Sequence, residues 1–211
     1  MPFSTDLREA TWGDHEEAAG GRYLAALMAG RLPREAYGQM VAQHHFAYRA
    51  LDDVARALAD DPVAGGFVFP ELYRQEALAR DLTVVFGADW ARRIEPTPAT
   101  RELVARIEDT AGWPGGYIAH HYTRYLGDMS GGQFIGAELR KVYGFGPDGG
   151  VDFYRFEAVP SLPRFKAEYR RRLDALSLDE AERKRIIRET RLAYRLNTDV
   201  LNGLDHLVPA A

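Results

Sequence analysis

Residues 122–136 read Tyr122-Thr123-Arg124-Tyr125-Leu126-Gly127-Asp128-Met129-Ser130-Gly131-Gly132-Gln133-Phe134-Ile135-Gly136. Tyr122, Leu126, Met129, Gln133 and Gly136 recur at helical spacing and Leu139 continues the row, so the spacing predicts a long helix from about Gly116 to Tyr143. Yet Gly127, Gly131, Gly132 and Gly136 fall within ten residues of it. Each glycine inside a helix costs about 1 kcal/mol relative to alanine, so the four together cost about 4 kcal/mol. A glycine lets a backbone bend or lie directly against a flat partner. Gly127 and Gly131, four apart, share one face, and polar Asp128 and Ser130 sit beside it. The stretch is therefore either a loop joining two shorter helices or a kinked helix pressed on a planar ligand.

The rest of the chain bounds the answer. It has 211 residues, 46% of them hydrophobic, enough for one large domain or two small ones with a sizeable core. Net charge is −4, and no block of like charge exceeds Arg170-Arg171-Arg172, which argues against a general nucleic-acid or membrane-surface binder. The chain has no cysteine, which excludes disulfides, thiolate catalysis, thiolate-held metal and a Cys-ligated iron–sulfur cluster. Met1-Pro2-Phe3-Ser4-Thr5-Asp6 has neither the basic start nor the apolar run of a signal peptide. Leu204 to Ala211 is too short to anchor in a bilayer. There is no internal repeat. The expectation is a single domain over residues 1–211, cytoplasmic, monomeric and without a membrane anchor.

Taken in order, the chain reads as helix throughout. A first helix is expected from about Leu7 to Met28, stopped by Gly30. Pro33 suits the first turn of a second, whose stripe of Tyr37, Met40, Val41, His44, Ala47, Tyr48, Leu51, Val54, Ala55 and Leu58 is core, with His44 read as a satisfied core histidine. Helices from Pro70 to Phe86 and from Thr97-Pro98 to Thr110 are scaffold. His120 and His121, being adjacent, point about 100° apart and do not readily share a metal. Ser161 caps a helix from about Pro163 to Leu176, where Lys166 and Arg170 share a face that as a bare pattern is solvated. Ser177 and Glu180 form a capping-box pattern for a last helix to about Asn202, with polar Asn197 in its buried stripe. No Glu-x-x-His occurs, so a ferritin-like di-iron bundle is a poor reading.

Tyr125-Leu126-Gly127-Asp128-Met129-Ser130-Gly131-Gly132-Gln133 resembles the distal-helix signature of the haem oxygenases, which usually carries Leu where this chain has Met129. The resemblance runs from about Leu7 to Leu204. It implies an all-α, single-domain haem-oxygenase-like bundle with haem sandwiched between a proximal and a kinked distal helix. Leu7-Arg8-Glu9-Ala10-Thr11 followed by His15 is similar to the family's proximal pattern, which makes His15 the axial ligand of haem iron. Arg8 and His15, seven apart on one helix, would lie roughly 10 Å from each other, a spacing that suits a porphyrin's iron and one propionate. The family often has a glutamate four residues after this histidine; here the position is Ala19, so another group must orient the imidazole. A bare histidine near a helix surface is otherwise just solvated.

The resemblance also implies the chemistry. Haem b is both substrate and prosthetic group, consumed with O2 and electrons from an external donor, a separate reductase or ferredoxin. Gly127 and Gly131 let the distal helix crowd the bound oxygen toward one meso carbon. Asp128 holds a water cluster that delivers protons, with Tyr48, Arg124 and Asn197 as its partners. On composition alone Asp128 would merely cap local backbone. Arg8, Tyr122, Lys166 and Arg170 anchor the propionates, which sets α-meso cleavage to biliverdin IXα, CO and Fe2+. A basic patch including Arg124 or Arg170 to Arg172 docks an acidic donor. The rival readings are a haem-binding or haem-transfer protein of the same fold and a thiaminase-like relative, the latter disfavoured by the missing cysteine.

Overall fold

The amphipathic stripes become helices wherever local chemistry starts and stops them. The structure, a computed structural model, describes residues 1–147 and 149–209, without the side chains of residues 17–19. Its α-helices are α1 (Phe3–Ala10), α2 (Trp12–Ala19), α3 (Arg22–Met28), α4 (Arg34–Ala57), α5 (Gln75–Phe86), α6 (Pro98–Asp109), α7 (Pro114–His121), α8 (Gly131–Tyr143), α9 (Leu162–Asp174) and α10 (Glu180–Asn202). There is no strand among the described residues. Thr97 and Ser161 cap α6 and α9 as expected, accepting from Thr100 N at 3.2 Å and Arg164 N at 3.5 Å. Gly30 and Gly144 end α3 and α8 at φ 67° and 63°, the left-handed region that a side chain resists.

Three expectations need correction. The first helix is three helices, because Thr11 turns the chain (φ −113°, ψ 7°) and its hydroxyl bonds back to Leu7 O at 2.8 Å. The Gly20-Gly21 pair then breaks the chain again, Gly21 being extended. Pro70–Leu72 is an isolated 3₁₀ turn, and α5 starts only at Gln75. The last helix is capped by Asp179, which accepts from Glu182 N at 2.7 Å, rather than by Ser177. An aspartate with a glutamate three residues on carries the same capping chemistry two residues later.

The core is built on α4 and on α7, which is buried from Gly115 to His121. α4 packs against α5 and α6, while α10 packs against α6, α7 and α2. Two glycines set how closely these helices approach. A Cβ on Gly38 would lie 2.5 Å from Phe86, and one on Gly115 would lie 2.8 Å from Ile186. Fully buried Tyr23, Tyr37, Tyr117, Tyr125 and Tyr169 fill the space between. Each buried ring contributes roughly 1.5–3 kcal/mol through apolar area, provided its hydroxyl finds a partner.

The expected distal helix is interrupted twice. A π-turn spans Tyr122–Leu126, and the backbone breaks at Met129 and Ser130, where Ser130 adopts φ −117°, ψ −95°. None of its four glycines has positive φ. Gly127 is itself helical (φ −62°, ψ −51°), so the bend comes from the π-turn and the Ser130 break.

Candidate functional site

A cleft separates α2 and α10 from the distal segment. Its inner lobe holds ≈ 230 Å³ and its outer lobe ≈ 320 Å³, together the size of a small-molecule site. The lobes share His15, Gly127, Gly131 and Tyr194. His15 comes from α2, is exposed, and makes no side-chain hydrogen bond among the described residues. Its ring stacks on Trp12 at 5.4 Å and meets Tyr194 edge-on at 6.1 Å. The side chain of Ala19 lies outside the described residues, so what orients the imidazole along α2 is read from Trp12 and Tyr194 alone.

Gly127 and Gly131 face His15 across the cleft. A Cβ built on either would meet nothing within 4 Å, so their missing side chains leave room in the cleft. Gly132 and Gly136 are different. A Cβ on Gly136 would lie 2.7 Å from Tyr154, and one on Gly132 would lie 3.4 Å from the same ring. Apolar Leu24, Met40, Ile135, Phe153 and Leu201 complete the inner wall. A flat, largely apolar ligand with a Lewis-acidic centre fits this slot: imidazole on one side, bare backbone on the other.

The inner lobe ends in a polar cluster drawn from three elements. The Tyr48 hydroxyl from α4 donates to Asp128 Oδ2. Arg124, one turn before Asp128, donates from Nη1 to Asn197 Oδ1 at 2.7 Å and lies 4.6 Å over the Tyr48 ring. Asn197 Nδ2 in turn donates to Ala193 O at 2.7 Å, which fixes its amide. Arg124 Nε and Nη2 are buried without a partner among the described residues. Burial pushes Arg124 down to about 10 and holds the Asp128 carboxyl well above the usual carboxylate range. His44 lines the same lobe; it shares Met40 O through Nδ1 at 3.2 Å, and burial, then Arg124, hold its pKa well below 6.5. It is thus a bonded core histidine, as expected, that also walls the cavity.

The outer lobe carries the cationic residues. Arg8 and Arg170 are exposed there beside buried Tyr122, and neither guanidinium has an ion pair among the described residues. Burial raises the Tyr122 hydroxyl, while those two cations pull it back. Arg8 sits on α1 and His15 on α2, so they meet at one cavity from two helices rather than along one. Lys166 Nζ reaches across to Met129 O at 3.2 Å and Ser130 Oγ at 3.0 Å. It clasps the break in the distal segment.

The basic-patch expectation needs revision. Arg124 is inside the inner lobe, and Arg171 and Arg172 are both engaged with Glu168. Only Arg170 of that set faces the cleft mouth. His120 and His121 are core residues: His120 Nε2 meets Glu189 Oε1 at 2.9 Å, and His121 Nδ1 meets the Tyr169 hydroxyl at 3.0 Å. Sequence reasoning missed Trp12, Phe153, Tyr154 and Tyr194 as cleft walls, because aromatic residues near a turn or in a stripe look like any core residue. It also missed Gln133, whose Nε2 joins Asp128 O at 3.0 Å to Tyr154 O at 2.9 Å, although its place in the glycine stretch was a signal.

Fold and cleft together define an all-α protein with an open slot between a short histidine-bearing helix and a glycine-faced, broken one. The sequence matches the family model for heme oxygenase over residues 1–203. It is 36% identical over 209 residues to "Heme oxygenase 2" of Synechocystis sp., covering 97% of this chain and 84% of the relative. It is 35% identical over 205 residues to "Heme oxygenase 1" of Gallus gallus, covering 96% and 69%. The crystal structure of heme oxygenase-2 from Synechocystis sp. in complex with heme and NO superposes with a TM-score of 0.93 at 35% identity, covering 99% of this chain and 87% of that one. The structure of heme oxygenase from Leptospira interrogans gives 0.90 at 30% identity, covering 96% and 99%. The chain belongs to the haem oxygenase family, and haem oxygenase is its activity.

Proposed function

We propose that this chain binds haem b in the cleft and, with O2 and electrons from a separate reductase or ferredoxin, opens it at the α-meso carbon to biliverdin IXα, CO and Fe2+. The observation that carries the reading is the pairing of an imidazole with two glycines whose absent side chains open the space opposite it. Residues 1–211 act as one domain, as a cytoplasmic monomer. When bound, the haem iron supplies the centre at which dioxygen is reduced; the chain supplies everything else. His15 ligates the iron from α2. Gly127 and Gly131 would present bare backbone on the cleft wall across from it, leaving a narrow space for anything bound there.

Asp128 organises protons. Tyr48 occupies Oδ2, and the second carboxylate oxygen has no protein partner among the described residues, so it is available to water. Arg124 and Asn197, bonded to each other, extend that water-holding surface, and Arg124's unpartnered nitrogens are the donors it has left. A buried carboxyl whose pKa is raised holds and releases a proton nearer neutrality than a solvated one does. Arg8, Arg170 and Tyr122 are placed to take the two propionates, and Arg to carboxylate fixes orientation as well as affinity. Lys166 contributes through the backbone it holds and, on exchange, directly.

The test is a visible spectrum. One equivalent of haemin is added to the purified protein, followed by ascorbate in air. A sharp Soret band that decays as biliverdin absorption grows supports binding and turnover together, and His15→Ala weakens the band. A stable Soret band without biliverdin, even with a reductase present, leaves the haem-binding protein reading instead. Chromatography giving β- or δ-biliverdin overturns the anchoring by Arg8, Tyr122, Lys166 and Arg170.

A further inference from the structure

The buried tyrosines divide sharply by what their hydroxyls do. Tyr23 donates to Ala36 O, Tyr37 to Gly150 O, Tyr117 to Phe67 O and Tyr125 to Asp52. Tyr48 donates to Asp128, and Tyr169 pairs with His121. Only Tyr122 and Tyr154 among the buried, described tyrosines have no hydroxyl partner, and both line the cleft. Neither oxygen is among the fully buried unpartnered atoms of the described residues, so both hydroxyls open onto the cleft, where water or a ligand completes them. Tyr122 faces the cationic outer lobe. Tyr154 is only 7% exposed and walls the inner lobe together with Asp128 and Arg124.

Tyr154 is also held more firmly than a wall residue needs to be. Its ring lies against the bare backbone of Gly132 and Gly136 and meets Phe153 edge-on at 4.8 Å. Its carbonyl accepts from Gln133, the same amide that binds Asp128 O. The loop before it is pinned by Asp81, whose carboxylate accepts from Gly150, Asp152 and Phe153 N, each at 2.8 Å. One side-chain amide therefore ties the backbone of Tyr154 to that of Asp128, and an acid on α5 fixes the loop's other end.

We infer that Tyr154 is a further positioning residue of the haem oxygenase site: its hydroxyl donates a hydrogen bond to the water that Asp128 holds in the inner lobe. The inference rests on the haem oxygenase reading above. Asp128 is the first charged group felt by the phenol and Arg124 the second, which fits a hydroxyl aimed at that cluster. The other titratable groups facing it are Asp81, Tyr23 and Tyr37 from the packed helices and His44 across the lobe.

Tyr154→Phe tests this, because phenylalanine keeps the ring against Gly132 and Gly136 and removes only the oxygen. The readout is the pH midpoint of the visible-spectrum transition of the ferric haem complex, alongside haemin affinity by Soret titration. A donor in the lobe favours the deprotonated form, so its loss raises the midpoint by about half a pH unit or more, at unchanged affinity. Biliverdin formation falls about 3- to 10-fold. Replacing Tyr154 with 3-fluorotyrosine, a stronger donor of nearly the same shape, lowers the midpoint instead and keeps the inference testable if the phenylalanine variant folds poorly. The midpoint decides. If neither variant moves it, the inference fails even when turnover drops, since packing alone would then explain the loss. If the wild-type protein gives no Soret band, the haem reading fails and the inference with it; a wild type that turns over beside an unmoved midpoint rejects the inference only.

Discussion

Gly127 and Gly131 differ from Gly132 and Gly136 although all four lie in one stretch of ten residues. The first pair faces empty space, and the second faces Tyr154, which approaches within 2.7 Å of a Cβ on Gly136. The first pair leaves the cleft open, whereas Gly136 of the second makes room for Tyr154. None of the four needs a left-handed backbone. The lesson is that the helix-propensity cost of a glycine cluster is offset by two separate requirements, which one substitution, glycine to alanine, should separate.

The largest expected effect lies behind the first pair. Asp128→Asn should slow biliverdin formation by about 100-fold or more while the Soret band still forms, since the amide fills the same space but cannot carry the proton. Single-turnover absorbance measures it, and an unimpaired rate would detach the polar cluster from the glycine face. Next, Gly136→Ala should destabilise the protein without haem by about 1–3 kcal/mol through overpacking against Tyr154. Gly127→Ala should do the opposite, stabilising it by about 0.5–1 kcal/mol because the position is helical and roomy, while weakening haemin binding. Denaturant melts check both, and the same sign for the two variants would erase the distinction between the pairs.

A pH series sharpens the contrast between functional and structural acids. Burial raises Asp52 to about 7 and Asp81 to about 6, against 3.8. Asp52 accepts from Tyr125, yet its Oδ2 has no partner among the described residues. A carboxyl whose folded pKa is raised keeps its proton in the folded state while the unfolded chain releases it. Stability is therefore greatest below about pH 4 with respect to these groups and falls as pH rises toward about 7. Asp52→Asn should flatten that decline and leave haem turnover largely intact, whereas Asp128→Asn should flatten it and also slow turnover by about 100-fold or more. The smallest effect belongs to the exposed rim: Arg170→Ala should lower haemin affinity by about fivefold at most, and less at high salt. A larger, salt-independent loss would mean that Arg170 is buried by the ligand.

Much of this was legible in residues 122–136, because helical spacing, crowded glycines and a central aspartate are local facts. The helices α4, α6, α9 and α10 followed from stripes and caps that the chain declares within a few residues. What failed was also local: Thr11 and the Gly20-Gly21 pair cut the first helix, and the stripe alone did not weigh a turn of hydroxyl-to-carbonyl bonding against continuity. Arg124 lies outside the expected docking patch for another reason. In sequence it suits both that patch and a place beside Asp128, and only the second placement fits the fold, because its neighbours Tyr48 and Asn197, 76 and 73 positions away, draw it inward.

By itself, then, the sequence determined the helical class and the family, since the signature and its flanking stripes are continuous in the chain. The tertiary structure decided that Gly127 and Gly131 leave open space while Gly136 makes room for Tyr154, because the glycines look alike until a neighbour is placed beside them. It decided that Arg8 and His15 reach one cavity from two helices, and that Gln133 ties Tyr154 to Asp128. Those outcomes depend on contacts between residues far apart in the chain, and burial, which sets the pKa of Asp128, exists only once those contacts have formed.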